Sequence, residues 1–159
     1  MDPTNIYDVS GSYDVTLTAS NQKKSEVLTQ AIVINDPTIL DVYTYEDDTV
    51  TVVADVSVWI FDSEASYTND SNNPQYDGFT DAEGALSFYN LESQPYIVDV
   101  YKETETGYWW GVYDIPALTL NTDNGWQLIM VFEESGSKKG LTKERTYRRT
   151  RLPIRSIEK

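Results

Sequence analysis

Residues Ser12–Ala19 alternate without a break: Tyr13, Val15, Leu17 and Ala19 share one face, and Ser12, Asp14, Thr16 and Thr18 the other. Gly11 precedes this run, and residues 20–25, SNQKKS, supply turn formers after it. Residues 27–34, VLTQAIVI, predict a second strand, closed by Asn35-Asp36-Pro37. Residues 40–45, LDVYTY, predict a third. Thr49 to Phe61 is a long β-prone run that the charged Asp55 breaks or bulges near Ala54-Asp55. Residues 62–77 are polar and predict the longest loop. Asp81-Ala82-Glu83-Gly84 predicts a tight turn, followed by a strand over 85–89. In 96–101, Tyr96, Val98 and Val100 point one way and Ile97, Asp99 and Tyr101 the other. Residues 106–112 hold Tyr108-Trp109-Trp110. Residues 118–120 read as a short strand, 121–125 as a turn, and Trp126–Phe132 as the last strand of the body. No stretch of the body has helical period. The pattern predicts an all-β antiparallel sandwich.

Two resemblances add to this reading. The segment Val9-Ser10-Gly11-Ser12-Tyr13-Asp14-Val15-Thr16-Leu17-Thr18-Ala19-Ser20-Asn21, with the following VLTQAIVIN, resembles the closing strands of a PKD-type immunoglobulin-like domain. It spans about one third of such a domain. Residues 40–101 resemble the prealbumin-like modules of carboxypeptidase regulatory domains and Cna B-type surface repeats. The matching pieces are Ala54–Val58, then Phe79-Thr80-Asp81-Ala82-Glu83-Gly84 running on to Leu91, then Tyr96–Val100. The resemblance implies that Gly84 closes the turn with positive φ, that Phe88 and Leu91 plug the sandwich edge, and that Tyr96, Val98 and Val100 face its core. Such modules act as spacers, stalks, adhesins or docking domains. Some Cna B-type modules carry a Lys–Asn crosslink, but Lys102 follows the wrong strand for one.

Two strands alone cannot bury a core. Residues 5–36 are therefore expected to pack on the main sandwich, or to be completed by a partner through strand addition. The sandwich itself is placed at 37–137 and a basic arm at 138–159. The alternative is one sandwich over 5–133.

Charge divides the chain in the same way. Residues 1–137 hold 3 basic and 24 acidic groups, a balance of −21, while 138–159 hold 9 basic and 2 acidic groups, +7. The body repels nucleic acid and anionic lipid. The arm carries Lys138, Lys139, Lys143, Arg145, Arg148, Arg149, Arg151 and Arg155. It suits a polyanion such as nucleic acid, its own acidic body, or the body of a neighbour. Leu152, Ile154 and Ile157 are enough to anchor a short strand. The opening MDPTNIYDV does not read as a secretory signal, and no run of 18 apolar residues predicts membrane insertion. Two histories fit: a piece of a longer secreted protein at a cell surface, or a protein assembled inside a cell.

The 159 residues include no Cys and no His, which excludes disulfides, thiolate chemistry, Cys/His zinc sites and His- or Cys-based triads. Asp55, Asp62, Asp77, Asp81, Glu83 and Asp99 are the carboxylates that paired acid–base chemistry would use, but no second element positions a substrate. No catalytic residue is assigned, and the chain reads as non-enzymatic. No cofactor is expected. Calcium is the plausible small ligand, with hard oxygens at Asp70 and Asn72 in one loop and at Asn121 and Asp123 in another. The competing account is Asx turns satisfied by their own backbone. Aromatic content is the sharper feature. Trp59 and Phe61 alternate with Val58 and Ile60, and Tyr108, Trp109 and Trp110 are consecutive, so both faces of these strands are apolar. The second face needs cover from residues 5–36, a loop or a partner, or it offers rings to a glycan. The expected function is a structural or adhesive module making protein–protein contacts, including self-association. The alternatives are a virion (phage) component whose basic arm crosses between subunits, and a carbohydrate-binding module.

Overall fold

A computed structural model describes residues 6–69, 73–134 and 151–157. The chain divides into two compact units, Met1–Pro37 and Thr38–Lys159.

The first unit is a two-stranded antiparallel ribbon, β1 (Gly11–Ser20) and β2 (Ser25–Ile34), in continuous register from Gly11 opposite Ile34 to Ser20 opposite Ser25. Its turn is organised by the Asn21 carboxamide, whose Oδ1 accepts from the amides of Lys23 and Lys24 at 2.9 Å. Tyr13 packs against Tyr7 with ring centroids 4.5 Å apart and donates its hydroxyl to the Val9 carbonyl at 2.7 Å. The alternation predicted for 12–19 and 27–34 is present. Among the described residues these strands pair only with each other.

The second unit is a two-sheet sandwich. Its strands are β3 (Ile39–Tyr45), β4 (Ser57–Phe61), β5 (Tyr76–Phe79), β6 (Ala85–Tyr89), β7 (Tyr96–Glu103), β8 (Gly107–Ile115), β9 (Asp123–Ile129), β10 (Val131–Glu134) and β11 (Ile154–Ile157). One sheet has the order β10-β8-β7-β4-β5 and the other β11-β9-β3-β6. The chain changes sheet between β3 and β4, β5 and β6, β6 and β7, β8 and β9, β9 and β10, and β10 and β11, which laces the layers together. Pairing is antiparallel except for β3 and β9, which run parallel from Ile39 opposite Asp123 to Tyr45 opposite Ile129. An antiparallel sandwich is therefore right for the class but not for this central seam.

Side-chain alternation fills the space between the sheets. Val58, Ile60, Tyr96, Val98, Val100, Tyr113 and Ile115 come from one sheet, Leu40, Val42, Phe88 and Leu128 from the other, and Leu91 and Leu118 close an end. Burying each such side chain contributes on the order of 1.5–3 kcal/mol. The turn after β5 has the geometry its residues imply. Asp81 Oδ1 accepts from the amides of Glu83 and Ala85, and Gly84 takes φ +70°. A Cβ there would lie 2.7 Å from Val52 Cγ1. Thr80 Oγ1 accepts the Val56 amide at 3.0 Å and is buried. The Tyr96 hydroxyl turns back to the backbone of Glu92, accepting from its amide and donating to its carbonyl, the arrangement of a tyrosine corner.

Four local expectations are corrected. The run Thr49–Phe61 breaks at Asp55 as expected (φ 57°), but the part before the break is not a strand, and Thr49 is also left-handed (φ 63°); β4 begins at Ser57. The polar stretch 62–77 contains a helix, α1 (Glu64–Asn69), and ends in β5 rather than forming one loop. Residues 118–120 are not a strand; Leu118 is a buried plug. Asp123–Gly125 belong to β9, and the single strand predicted to Phe132 is two strands in different sheets.

The last of these has a clear cause. Met130 is fully buried at the corner, its amide bonded to the Tyr45 carbonyl at 2.8 Å. The Tyr113 hydroxyl donates to the Ile129 carbonyl at 2.7 Å. Burial, reinforced by the Asp99 charge, raises the Tyr113 pKa, so the donor stays protonated. The Tyr113 ring lies over Gly111, where a Cβ would fall 2.1 Å from the phenol oxygen. Gly111→Ala is expected to lower unfolding free energy by about 3 kcal/mol, whereas Gly125→Ala, whose Cβ would meet nothing closer than 3.4 Å, should change it by less than about 1 kcal/mol. Equal effects in urea denaturation would contradict this corner.

Candidate functional site

The face of the β10-β8-β7-β4-β5 sheet that points away from the sandwich core holds most of the aromatic residues singled out from the sequence. Register places Trp59 opposite Asp99, Tyr101 opposite Trp110, and Tyr108 opposite Glu133. These side chains alternate with the core set, so they lie on the outer side. Trp109 is separated from them. It points inward, beside Phe132 with ring centroids 5.0 Å apart, and packs against the main core.

Part of this outer face is covered from within the unit. Phe61, Tyr67, Ile97 and Val112 form a second buried cluster, with Trp59 packed on it. Tyr67 comes from α1 and meets Phe61 edge-on at 5.3 Å. The helix is only six residues long, so capping and packing must hold it. Ser63 Oγ accepts the Ser66 amide at 3.1 Å, an N-cap bond, and Asp62 Oδ1 accepts from the Ser66 and Ser63 hydroxyls. Phe61 is thus fully buried, while Trp59 is half-buried.

Arg151 completes this end. Its guanidinium sits 4.8 Å from the Tyr67 ring centre, with Nη2 2.6 Å from Glu64 and Nε 3.0 Å from Asp114. The following residue turns inward. The Leu152 amide donates to the Val112 carbonyl at 2.8 Å, Leu152 and Ile154 pack on the core, and β11 pairs with β9. Arg155 lies on β11 opposite Gln127 and is exposed. Residues 151–157 of the basic arm therefore lie on the chain's own body. Lys138, Lys139, Lys143, Arg145, Arg148 and Arg149 fall outside the described residues.

The other end of the face is an aromatic–carboxylate cluster. Tyr101 and Tyr108 stack at 5.7 Å with 30° between planes. The Glu133 carboxylate accepts from the Tyr108 hydroxyl through one oxygen and from Trp110 Nε1, at 3.0 Å, through the other. Asp99 is buried between Trp59 and Val112. The cluster ties strands β8 and β10 together through the Glu133 carboxylate on the outer side of the sheet. Sequence reasoning found the rings but missed Glu133, which register alone brings to them.

The proposed calcium ligands fall in two separate stretches. Asp70 and Asn72 fall outside the described residues. Asn121 sits in a turn with φ +58° and its amide donates to Thr38 Oγ1 at 2.9 Å, and Asp123 begins β9. Among the described residues no group of three or more acids is placed to hold a metal ion. Lys102 donates its ammonium to the Ala54 carbonyl at 2.6 Å. No helix among the described residues is long and apolar enough to cross a membrane.

The cap of α1 gives a pH test. The Ser66 and Ser63 hydroxyls hold the Asp62 carboxyl below its usual 3.8. Its folded pKa is lower than its unfolded pKa, so its contribution is complete above the unfolded value and lost as pH falls through the folded one. The protection factor of the Tyr67 amide, which donates to Ser63 at 3.1 Å, is expected to drop below about pH 4. In Asp62→Asn most of that pH dependence should vanish; an unchanged profile would refute the cap's role. No family model and no curated protein matches this chain.

Proposed function

We propose that this chain is a non-catalytic structural or adhesive module of a cell-surface or extracellular assembly, and that copies associate through the β1–β2 ribbon. The sandwich is read as a prealbumin-like unit of the carboxypeptidase-regulatory or Cna B kind, and the ribbon as the closing strand pair of a PKD-like unit. The Thr80–Gly84 turn, the plugs Phe88 and Leu91, and the inward set Tyr96, Val98 and Val100 support the first assignment.

The observation that carries the function is the ribbon's apolar face. Pairing puts Tyr13, Val15, Leu17 and Ala19 on the same side as Leu28, Ile32 and Ile34. Leu17 and Leu28, directly opposite one another, are 62% and 63% exposed. The opposite side holds the Thr16–Thr29 hydroxyl pair, with Val27 and Val33 beside it. A ribbon of two ten-residue strands is marginal alone and gains stability when its apolar side meets a second sheet. A second copy supplies such a side, since the face is self-complementary and its only charged member is Glu26 at the turn end.

The test is native mass against concentration for the intact chain and for Leu17→Asp/Leu28→Asp. The wild type is expected to form dimers or larger species at micromolar concentration, and the double variant to remain monomeric with the sandwich's melting transition unchanged. A wild type that stays monomeric, or an assembly that survives both substitutions, would end this reading.

A further inference from the structure

Cross-strand partners in the β1–β2 ribbon share a side, so its apolar side is a ladder of five rows. These are Gly11 with Ile34, Tyr13 with Ile32, Val15 with Gln30, Leu17 with Leu28, and Ala19 with Glu26. The middle row holds the one carboxamide of that side. Gln30 is exposed and makes no hydrogen bond among the described residues. The other polar groups of the side are already engaged: the Tyr13 hydroxyl donates to the Val9 carbonyl, and Glu26, at the turn end, pairs with Lys24.

We propose that two copies pack these sides together with their strands antiparallel, about a two-fold axis crossing the ribbon at the Val15–Gln30 row, and that Gln30 fixes this register. The inference rests on the reading that copies associate through the ribbon, and adds how they are arranged. Two sheets packed face to face on identical sides are related by an axis lying in the plane between them. Two orientations of that axis keep all five rows in contact. With the axis across the strands, each row meets the row equally far beyond the middle. Tyr13 and Ile32 then face Leu17 and Leu28 of the other copy, and Gln30 faces Gln30. A carboxamide is both donor and acceptor, so two of them facing one another exchange two N–H···O bonds. With the axis along the strands, Gln30 is pressed onto Val15 instead, and both carboxamides lose water without gaining a partner. A slide by one row sets Gln30 against Ile32 or Leu28, with the same loss. A single polar residue on an apolar interface selects one register in this way in coiled coils.

Charge favours the same occupant. Met1–Pro37 holds 5 acidic and 2 basic groups, a balance of −3, whereas Thr38–Lys159 holds 21 acidic and 10 basic groups, −11. Two copies repel each other least where their ribbons meet.

The experiment uses the full chain, which has no cysteine, so Ser20→Cys gives a single site for a spin label. Ser20 lies on the side of the ribbon away from the proposed contact, five residues from the middle row. The antiparallel register places the two Ser20 Cα atoms about 34 Å apart, and the orientation along the strands places them about 10 Å apart. The distance between labels in the dimer is expected to be long and single. Gln30→Leu keeps the side apolar and removes the selection. It is expected to remain dimeric and to gain a short-distance population of comparable size. A short distance with Gln30 in place, or a Gln30→Leu distribution identical to that with Gln30, would overturn the register while leaving association through the ribbon intact. A chain that stays monomeric with either residue would overturn both, and native mass at the labelling concentration separates the two failures.

Discussion

Three adjacent strands of this protein, β4, β7 and β8, are apolar on both sides, and a sheet with two apolar faces has to be covered twice. Val58, Ile60, Val98 and Val100 face one way, and Phe61, Ile97 and Val112 the other. The β11-β9-β3-β6 sheet meets the first demand across the sandwich. The second is met at one end by a single turn and a half of helix, with Tyr67 as its inserted side chain and Arg151 holding the helix down. The positions of α1, of the C-terminal strand and of the aromatic–carboxylate cluster all follow from this second face.

The same constraint gives Arg151 its place. Its guanidinium over the Tyr67 ring, paired to Glu64 and Asp114, uses the charge the body already carries. Each of those pairs is largely exposed and adds little by itself. Together with the Leu152 amide bond and β11 they fix the end of the chain on its own sandwich.

Much of this was legible in the sequence because alternation is a local signal. Residues 12–19, 27–34, 40–45, 85–89 and 96–101 read as strands and are strands, and Tyr96, Val98 and Val100 face inward as their spacing implies. What failed was non-local or capped. The parallel β3–β9 pair joins residues more than eighty apart, and no period records it. Helix α1 is too short for a 3.6-residue repeat, so its available signal was the Ser63 cap ahead of Tyr67. In the β-branched run from Thr49 the break at Asp55 was legible from its charge, but the left-handed Thr49 was not. The split at Met130 looks like continuous strand until the buried corner is seen. For the site, the rings were visible, but Glu133 and Arg151 come to them only through strand pairing and the returning chain.

The central claim is that β7 is covered on both faces and belongs to the most protected part of the molecule. Native-state hydrogen exchange of the Tyr96–Tyr101 amides tests it most directly. The account predicts that these amides exchange only through global unfolding, more slowly than those of the edge strand β5. Exchange of β7 at the rate of β5 would mean that the outer face is open, and the account would fail.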